Sequence, residues 1–261
     1  MLLDILRADP AGNITLFVLN EVEKERRAEI ASKLMGIEKF GAEQVGFLTA
    51  PTDSRCLCRL ETMGGEFCGN ASRALALYLA EKNDINGKML IEVSGSPAPV
   101  EVWADRYKGE AFAKMPLPKN IEPFILSGID CMRVDLDGIS HLIAESEMPD
   151  KRIVIAAEGM FEDDASIAAY GMLFFNKYDM SMVPFVKVKD IGSFVREGSC
   201  GSGTVAVAVS LCIGLKDGKE SFTISQPAGV ITAEVEKQDG KFKSVSIGGS
   251  VKLDEPQKVE I

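Results

Sequence analysis

Apolar residues in this chain fall mostly in short runs bounded by turn-forming residues, which is how strands read. TLFVLNEV from Thr15, QVGFLTA from Gln44, RCLCRLE from Arg55 and KMLIEVSG from Lys88 are such runs. So are VEVWAD from Val100, RIVIAAE from Arg152, FTISQ from Phe222 and VITAEVE from Val230. A helical period is clearest over Ser72–Lys82, over Gly203–Leu215 and in EVEKERRAEIASKLMG from Glu21. No Ser/Pro-rich linker or low-complexity tract interrupts the pattern.

The two halves of the pattern resemble each other. EFCGNAS leads through a helix to IEVSGSPAPVEV, and EGSCGSGT leads through a helix to FTISQPAGVITAEV. Cys68 lies 26 residues before Ser94, and Cys200 lies 25 before Ser225. A repeat this long is unlike a solenoid. Its simplest meaning is two similar α+β domains, 1–118 carrying Cys68 and 119–261 carrying Cys200, with the crossover near MPLPKNIEP. The final strand is a candidate to pack back on the first domain.

Composition narrows the function classes. The chain has 261 residues, 46% hydrophobic and 26% charged, enough for a sizeable core without a disulfide or metal staple. A net charge of −10 argues against nucleic acid or an anionic membrane as partner. The longest apolar run, VAVAVSLCIGL, is 11 residues, against the ~20 that a membrane helix needs. The opening MLLDILRADPAG carries Asp4 and lacks a long apolar core, so no signal peptide is expected. Six cysteines in a chain of this length are no disulfide framework. A cytoplasmic, reduced protein is the expectation.

The chemistry concentrates where the repeat places cysteine. Each of Cys68 and Cys200 sits where a glycine-containing loop becomes a helix. Free N–H groups and a partial positive charge at a helix start favour thiolate and can also hold a carboxylate. Gly69 and Gly201 let a ligand approach the backbone closely. Two such loops suit a two-base proton transfer: one thiolate removes a proton from a tetrahedral carbon and the opposite thiol returns one to the other face. The scheme requires neither pyridoxal phosphate nor metal, so no cofactor is expected. Cys56 and Cys58 form a C-x-C, but no second pair or His cluster at zinc spacing accompanies them, and packing is the expected role. Cys131 and Cys212 also read as structural. His141 is the sole histidine, so any Ser-His-Asp or Cys-His pair would have to use it, and nothing in the sequence places it near Cys68.

At these residues the sequence resembles the diaminopimelate epimerase-like family of cofactor-independent amino-acid racemases and epimerases. FCGNAS matches the family's first CGN loop and SCGSGT its second, CGTG or CGSG. PAGNITLFV around Asn13, GAEQVGFL with Glu43, and QPAGVI extend the likeness over both halves. The resemblance implies two pseudo-symmetric domains, each a barrel-like, mostly antiparallel sheet around a central helix, with the active site between them. It implies Cys68 and Cys200 as the acid/base pair, and Asn13, Gly69, Asn70, Gly201 and Ser202 as the grip on the substrate's α-carboxylate and α-amino end.

The departures bear on the substrate. SFVREGSC replaces an ERGxGET-like segment, and GISH stands where the family has GNPH. An Asn of the family is replaced around Gly171–Met172, and RLETMGGEFC has no match to an upstream Asn. The grip on the distal end of diaminopimelate is therefore mostly absent, and a charged distal group buried without partners would be costly. EQVGF, GxEFCGNA, SCGSGT and the Gln of QPAG look most similar to the histidine racemases of opine-metallophore (staphylopine) biosynthesis. Histidine is accordingly the first expected substrate, with Glu43 or Glu197 as acceptors for an imidazole N–H. Diaminopimelate or lanthionine epimerisation is the alternative, and a non-thiol isomerase or binding protein on the same fold is a remote one. The expected partner is a small amino-acid substrate; a homodimer is compatible with this reading.

Overall fold

A computed structural model describes residues 1–146, 148–164, 167–189 and 191–261. The chain divides into two compact units, Met1–Lys114 with Gly248–Ile261, and Met115–Ile247.

The first unit begins with β1 (Leu2–Asp9), β2 (Thr15–Val18), α1 (Lys24–Met35), β3 (Gln44–Thr49) and β4 (Arg59–Thr62). It continues with α2 (Gly69–Asn83), β5 (Gly87–Val93), β6 (Val100–Asp105) and β7 (Glu110–Lys114). β1 pairs antiparallel with β2, β2 parallel with β3 across α1, and β3 antiparallel with β4. β4 then pairs parallel with β5 across α2, and β5–β6 and β6–β7 are antiparallel.

The strand alternation explains the layers. Leu3 and Ile5, Leu16 and Val18, and Val45 and Phe47 point to one face, where Ile30, Ala31 and Leu34 of α1 cover them. Leu6, Ala8, Phe17 and Leu60 point to the other face and meet α2. From Ala71 to Ala80, α2 is buried almost all round and meets apolar residues of β1, β2 and β4–β7. A helix apolar on every side belongs inside a sheet, not on it.

The second unit holds β8 (Asn120–Leu126), β9 (Ile129–Asp135), β10 (Ile139–Glu145), α3 (Lys151–Glu162), β11 (Ala169–Asn176), β12 (Ser181–Val188) and β13 (Ile191–Arg196). α4 (Gly201–Leu211), β14 (Gly218–Gln226) and β15 (Gly229–Gln238) follow, and β16 (Lys241–Ser250) leads back to the first unit. Its pairings repeat those of the first: β9–β10 antiparallel, β10–β11 parallel across α3, β11–β12 antiparallel, β12–β14 parallel across α4, and β14–β15 antiparallel. β8 lies antiparallel on β9. In the first unit the same place beside β1 is taken by β18 (Gln257–Glu260), after β17 (Lys252–Leu253) has paired with the end of β1. The architecture is sheet-dominated α+β.

Two of the expected strands are corrected. RIVIAAE is not a strand but the start of α3, whose Asp150 side chain caps the helix by accepting from the Arg152 N–H. Ile153, Ala157 and Phe161 are its buried residues, a spacing of four. The β-branched run Ile153–Ile155 masks that period locally, and burial of one stripe outweighs the weak propensity term. In RCLCRLE only Arg59 onward is strand, so Cys56 and Cys58 precede β4. Of Gly203–Leu215, the helical part ends at Leu211 with Cys212 as C-cap.

Among the described residues, no helix is long and apolar enough to cross a membrane. All six cysteines are free thiols. Burial pushes the thiols of Cys56, Cys58, Cys131 and Cys212 up, as expected of packing residues.

Candidate active site

Each unit carries one cysteine as the N-cap of its buried helix. Cys68 caps α2 with φ −126° and ψ 112°, and its sulfur accepts from the Ala71 N–H at 3.4 Å. Cys200 caps α4 with φ −124° and ψ 113°, and its sulfur accepts from the Gly203 N–H at 3.3 Å. The residue four along closes each turn: Ser72 Oγ donates to the Cys68 carbonyl and Thr204 Oγ1 to the Cys200 carbonyl, both at 2.7 Å. Sulfur thus takes the place usually held by Ser, Thr, Asp or Asn.

The surroundings differ. Cys68 is half-buried, whereas Cys200 is 5% exposed. Burial pushes the Cys200 thiol well up, and the Glu197 carboxylate pushes the same way through its charge and a hydrogen bond. The Ser202 hydroxyl and the Gly203 N–H pull it down, but burial wins. The expectation that a helix start by itself favours thiolate therefore fails at Cys200, because loss of water outweighs the donors.

In the second unit, Glu197, Gly201 and Ser202 all gather at Cys200. Ser202 Oγ lies 3.4 Å from the Cys200 sulfur and 2.9 Å from His141 Nε2. No local sequence pattern places His141, and the sheet brings it here. β10 and β11 run in parallel with His141 opposite Gly171. A Cβ on Gly171 would overlap the imidazole, meeting His141 Cε1 at 2.7 Å. Burial pulls the His141 pKa down to about 3, so the ring is neutral. Among the described residues, its buried Nδ1 has no hydrogen-bond partner. A bare acceptor is less costly there than an orphaned N–H, so the proton sits on Nε2 and is donated to Ser202. The Ser202 hydroxyl is then free to point at sulfur. Gln226 clamps the loop from below: Oε1 accepts from the Cys200 N–H at 2.7 Å, and Nε2 donates to Thr204 Oγ1 at 2.9 Å. The one sequence signal for this role was the Gln of QPAG.

In the first unit, Gly69 and Asn70 open α2 behind Cys68, and both are buried. Asn13 and Glu43 are joined, Nδ2 donating to Oε2 at 2.7 Å. Glu43 is exposed at the surface, yet partial loss of water raises its carboxyl above the usual range; Asn13 opposes this and the charge of Asp9 adds to it. Among the described residues, no group of three or more His, Cys, Asp or Glu side chains is placed to hold a metal ion.

The family described as histidine racemase CntK N-terminal domain matches residues 2–255. The chain belongs to this family. A histidine racemase of Fusobacterium nucleatum is 33% identical over 250 residues, covering 91% of this chain and 90% of that one. A PhzF-family phenazine biosynthesis protein of Bacillus anthracis shares the fold, with a TM-score of 0.74, 14% identity and full coverage of both chains. A hydroxyproline epimerase from Agrobacterium vitis does so with a TM-score of 0.64 and 14% identity, over 99% of this chain and 91% of that one.

Proposed function

We propose that the protein is a cofactor-independent histidine racemase that inverts the α-carbon with two thiols, on a diaminopimelate epimerase-like pair of domains divided near residue 118. The observation that carries this reading is the repetition of one device, a cysteine capping the mouth of a buried helix in each unit, in a chain that belongs to a histidine racemase family.

In the reaction, a thiolate takes the α-proton and the C–H electron pair spreads onto the carboxylate as an enolate-like anion. The thiol on the other side gives its proton to carbon, leaving the enantiomer. The two sulfurs have then exchanged protonation states and reset through solvent. Helix-mouth N–H groups of Gly69, Asn70, Gly201 and Ser202 stabilise the charge as it develops on the carboxylate. Glu43, held by Asn13, accepts the imidazole N–H of the substrate. Glu197 is already engaged with Cys200, so it acts on the thiol instead.

Proton NMR in D2O, with reduced protein and separate L-histidine, meso-diaminopimelate and lanthionine samples, tests this. Loss of the histidine α-proton signal with appearance of D-histidine is the expected result. Exchange confined to diaminopimelate or lanthionine would overturn the substrate. No exchange with any of the three would overturn the racemase itself.

A further inference from the structure

Arg73 lies five residues after Cys68 in α2 and is fully buried. Its Nε donates to Asn70 Oδ1 and one terminal nitrogen donates to the Ser250 carbonyl, both at 3.2 Å. Both acceptors are neutral. The other terminal nitrogen is buried with no hydrogen bond among the described residues. Among the described residues, Arg73 forms no ion pair. Burial draws its pKa down to about 10, which still leaves it charged at neutral pH. An unpaired buried cation is costly enough to require an explanation.

Its electrostatic surroundings supply one. The groups that act on the guanidinium are the Cys68 sulfur and, from the end of β1, Asp9. Asp9 is occupied in a turn, accepting from the Gly12 N–H at 2.6 Å. Glu66, two residues before Cys68, is exposed and accepts from Gln44. The second unit has no counterpart: five residues after Cys200 the helix carries Val205, also fully buried. There the nearby charge is the Glu197 carboxylate, of opposite sign.

We infer that Arg73 is a positioning residue of the reaction: its buried charge makes Cys68 the resting thiolate, with Cys200 the resting thiol, and its N–H orients the Asn70 amide. Because arginine only donates, the atom of Asn70 that faces it is the oxygen. That leaves the Asn70 NH2, the other group of the amide, as the donor for the substrate. The inference rests on the two-thiol reading above, and it assigns the first proton abstraction of the resting enzyme to Cys68.

The test is iodoacetamide labelling of the full-length reduced protein across pH, with each cysteine followed by peptide mass spectrometry. In the unaltered protein, the labelling midpoint of Cys68 should lie below that of Cys200. The reverse order would overturn the inference without any substitution. In Arg73→Met, labelling of Cys68 at pH 7 should slow about tenfold or more, one pH unit in midpoint being a factor of ten. The Cys200 midpoint should stay put, and Arg73→Lys should restore most of the Cys68 rate. An unchanged Cys68 midpoint in folded Arg73→Met would refute the role. If Cys68→Ser kept full racemisation, the two-thiol reading would fall instead, while the labelling result would still report on Arg73.

Discussion

The mouths of α2 and α4 are nearly superposable in dihedral angles, in the sulfur–amide contact and in the hydroxyl four residues on, yet they differ in charge. One is half-open, with a buried cation behind it. The other is closed, with a carboxylate beside it and a neutral histidine–serine relay pointed at the sulfur. The difference teaches that cap geometry places a thiol but does not set its proton. Solvent exposure and the nearest buried charges do that. The two-thiol racemisation proposed above needs such an asymmetry, because two resting thiolates leave no acid and two resting thiols leave no base.

The harshest way to break the comparison is to remove one sulfur. Cys68→Ser and Cys200→Ser should each lower histidine racemisation at least a thousandfold, roughly the upper range for a general acid or base. On the proposed assignment of the resting thiolate, Cys200→Ser should still wash deuterium into one enantiomer, and Cys68→Ser should wash in little near neutral pH, because burial and Glu197 hold the proton on Cys200. Full racemisation by either variant, followed by chiral chromatography, would end the two-base account.

A smaller effect should come from Gly171→Ala, which acts only on the second mouth. The new methyl displaces the His141 ring and with it the Ser202 hydroxyl. A shift of about an ångström at reacting groups can lower kcat/KM on the order of a hundredfold. Overpacking should reduce stability by about 1–3 kcal/mol. Wild-type kcat/KM in this variant would show that the relay is idle.

Glu197→Gln should sharpen the comparison with a milder change. It removes a charge that holds the Cys200 proton on. The alkaline limb of the bell-shaped kcat/KM profile should therefore move to lower pH, and the acid limb should stay put. A limb that moves the other way would show that the carboxylate does not act on this thiol.

The smallest effect is on stability at acid pH. His141 is neutral in the folded chain down to about pH 3, while in the unfolded chain it takes up a proton near 6.5. Its folded pKa is the lower one, so its contribution is complete above 6.5. That contribution is lost as pH falls from 6.5 toward 3, at about 1.4 kcal/mol per unit. Urea unfolding of the wild type and His141→Gln at pH 7 and pH 5 should differ by that pH-dependent loss. As the sole histidine, its ring protons also report directly by NMR, and a midpoint near 6.5 would contradict the burial.

The sequence alone determined the local elements and the chemistry they carry. Cys68 and Cys200 could be read as helix starts because a Gly-rich step followed by an apolar run is a local signal that needs no partner. A short apolar run bounded by turn residues likewise marks β2, β3, β5, β6 and β15. It misled at α3, where three β-branched residues in a row hide a helical stripe that only burial reveals. Tertiary structure decided what no local pattern carries. His141 reaches Ser202 because parallel pairing of β10 and β11 sets it opposite a glycine 30 residues later. Gln226 reaches the Cys200 amide from 26 residues away. Arg73 looks like an ordinary helix-surface residue until α2 is enclosed by its sheet. Proton affinity depends on exposure and on charges brought near in space. Both are properties of the folded arrangement, so the sequence could name the two thiols but not distinguish them.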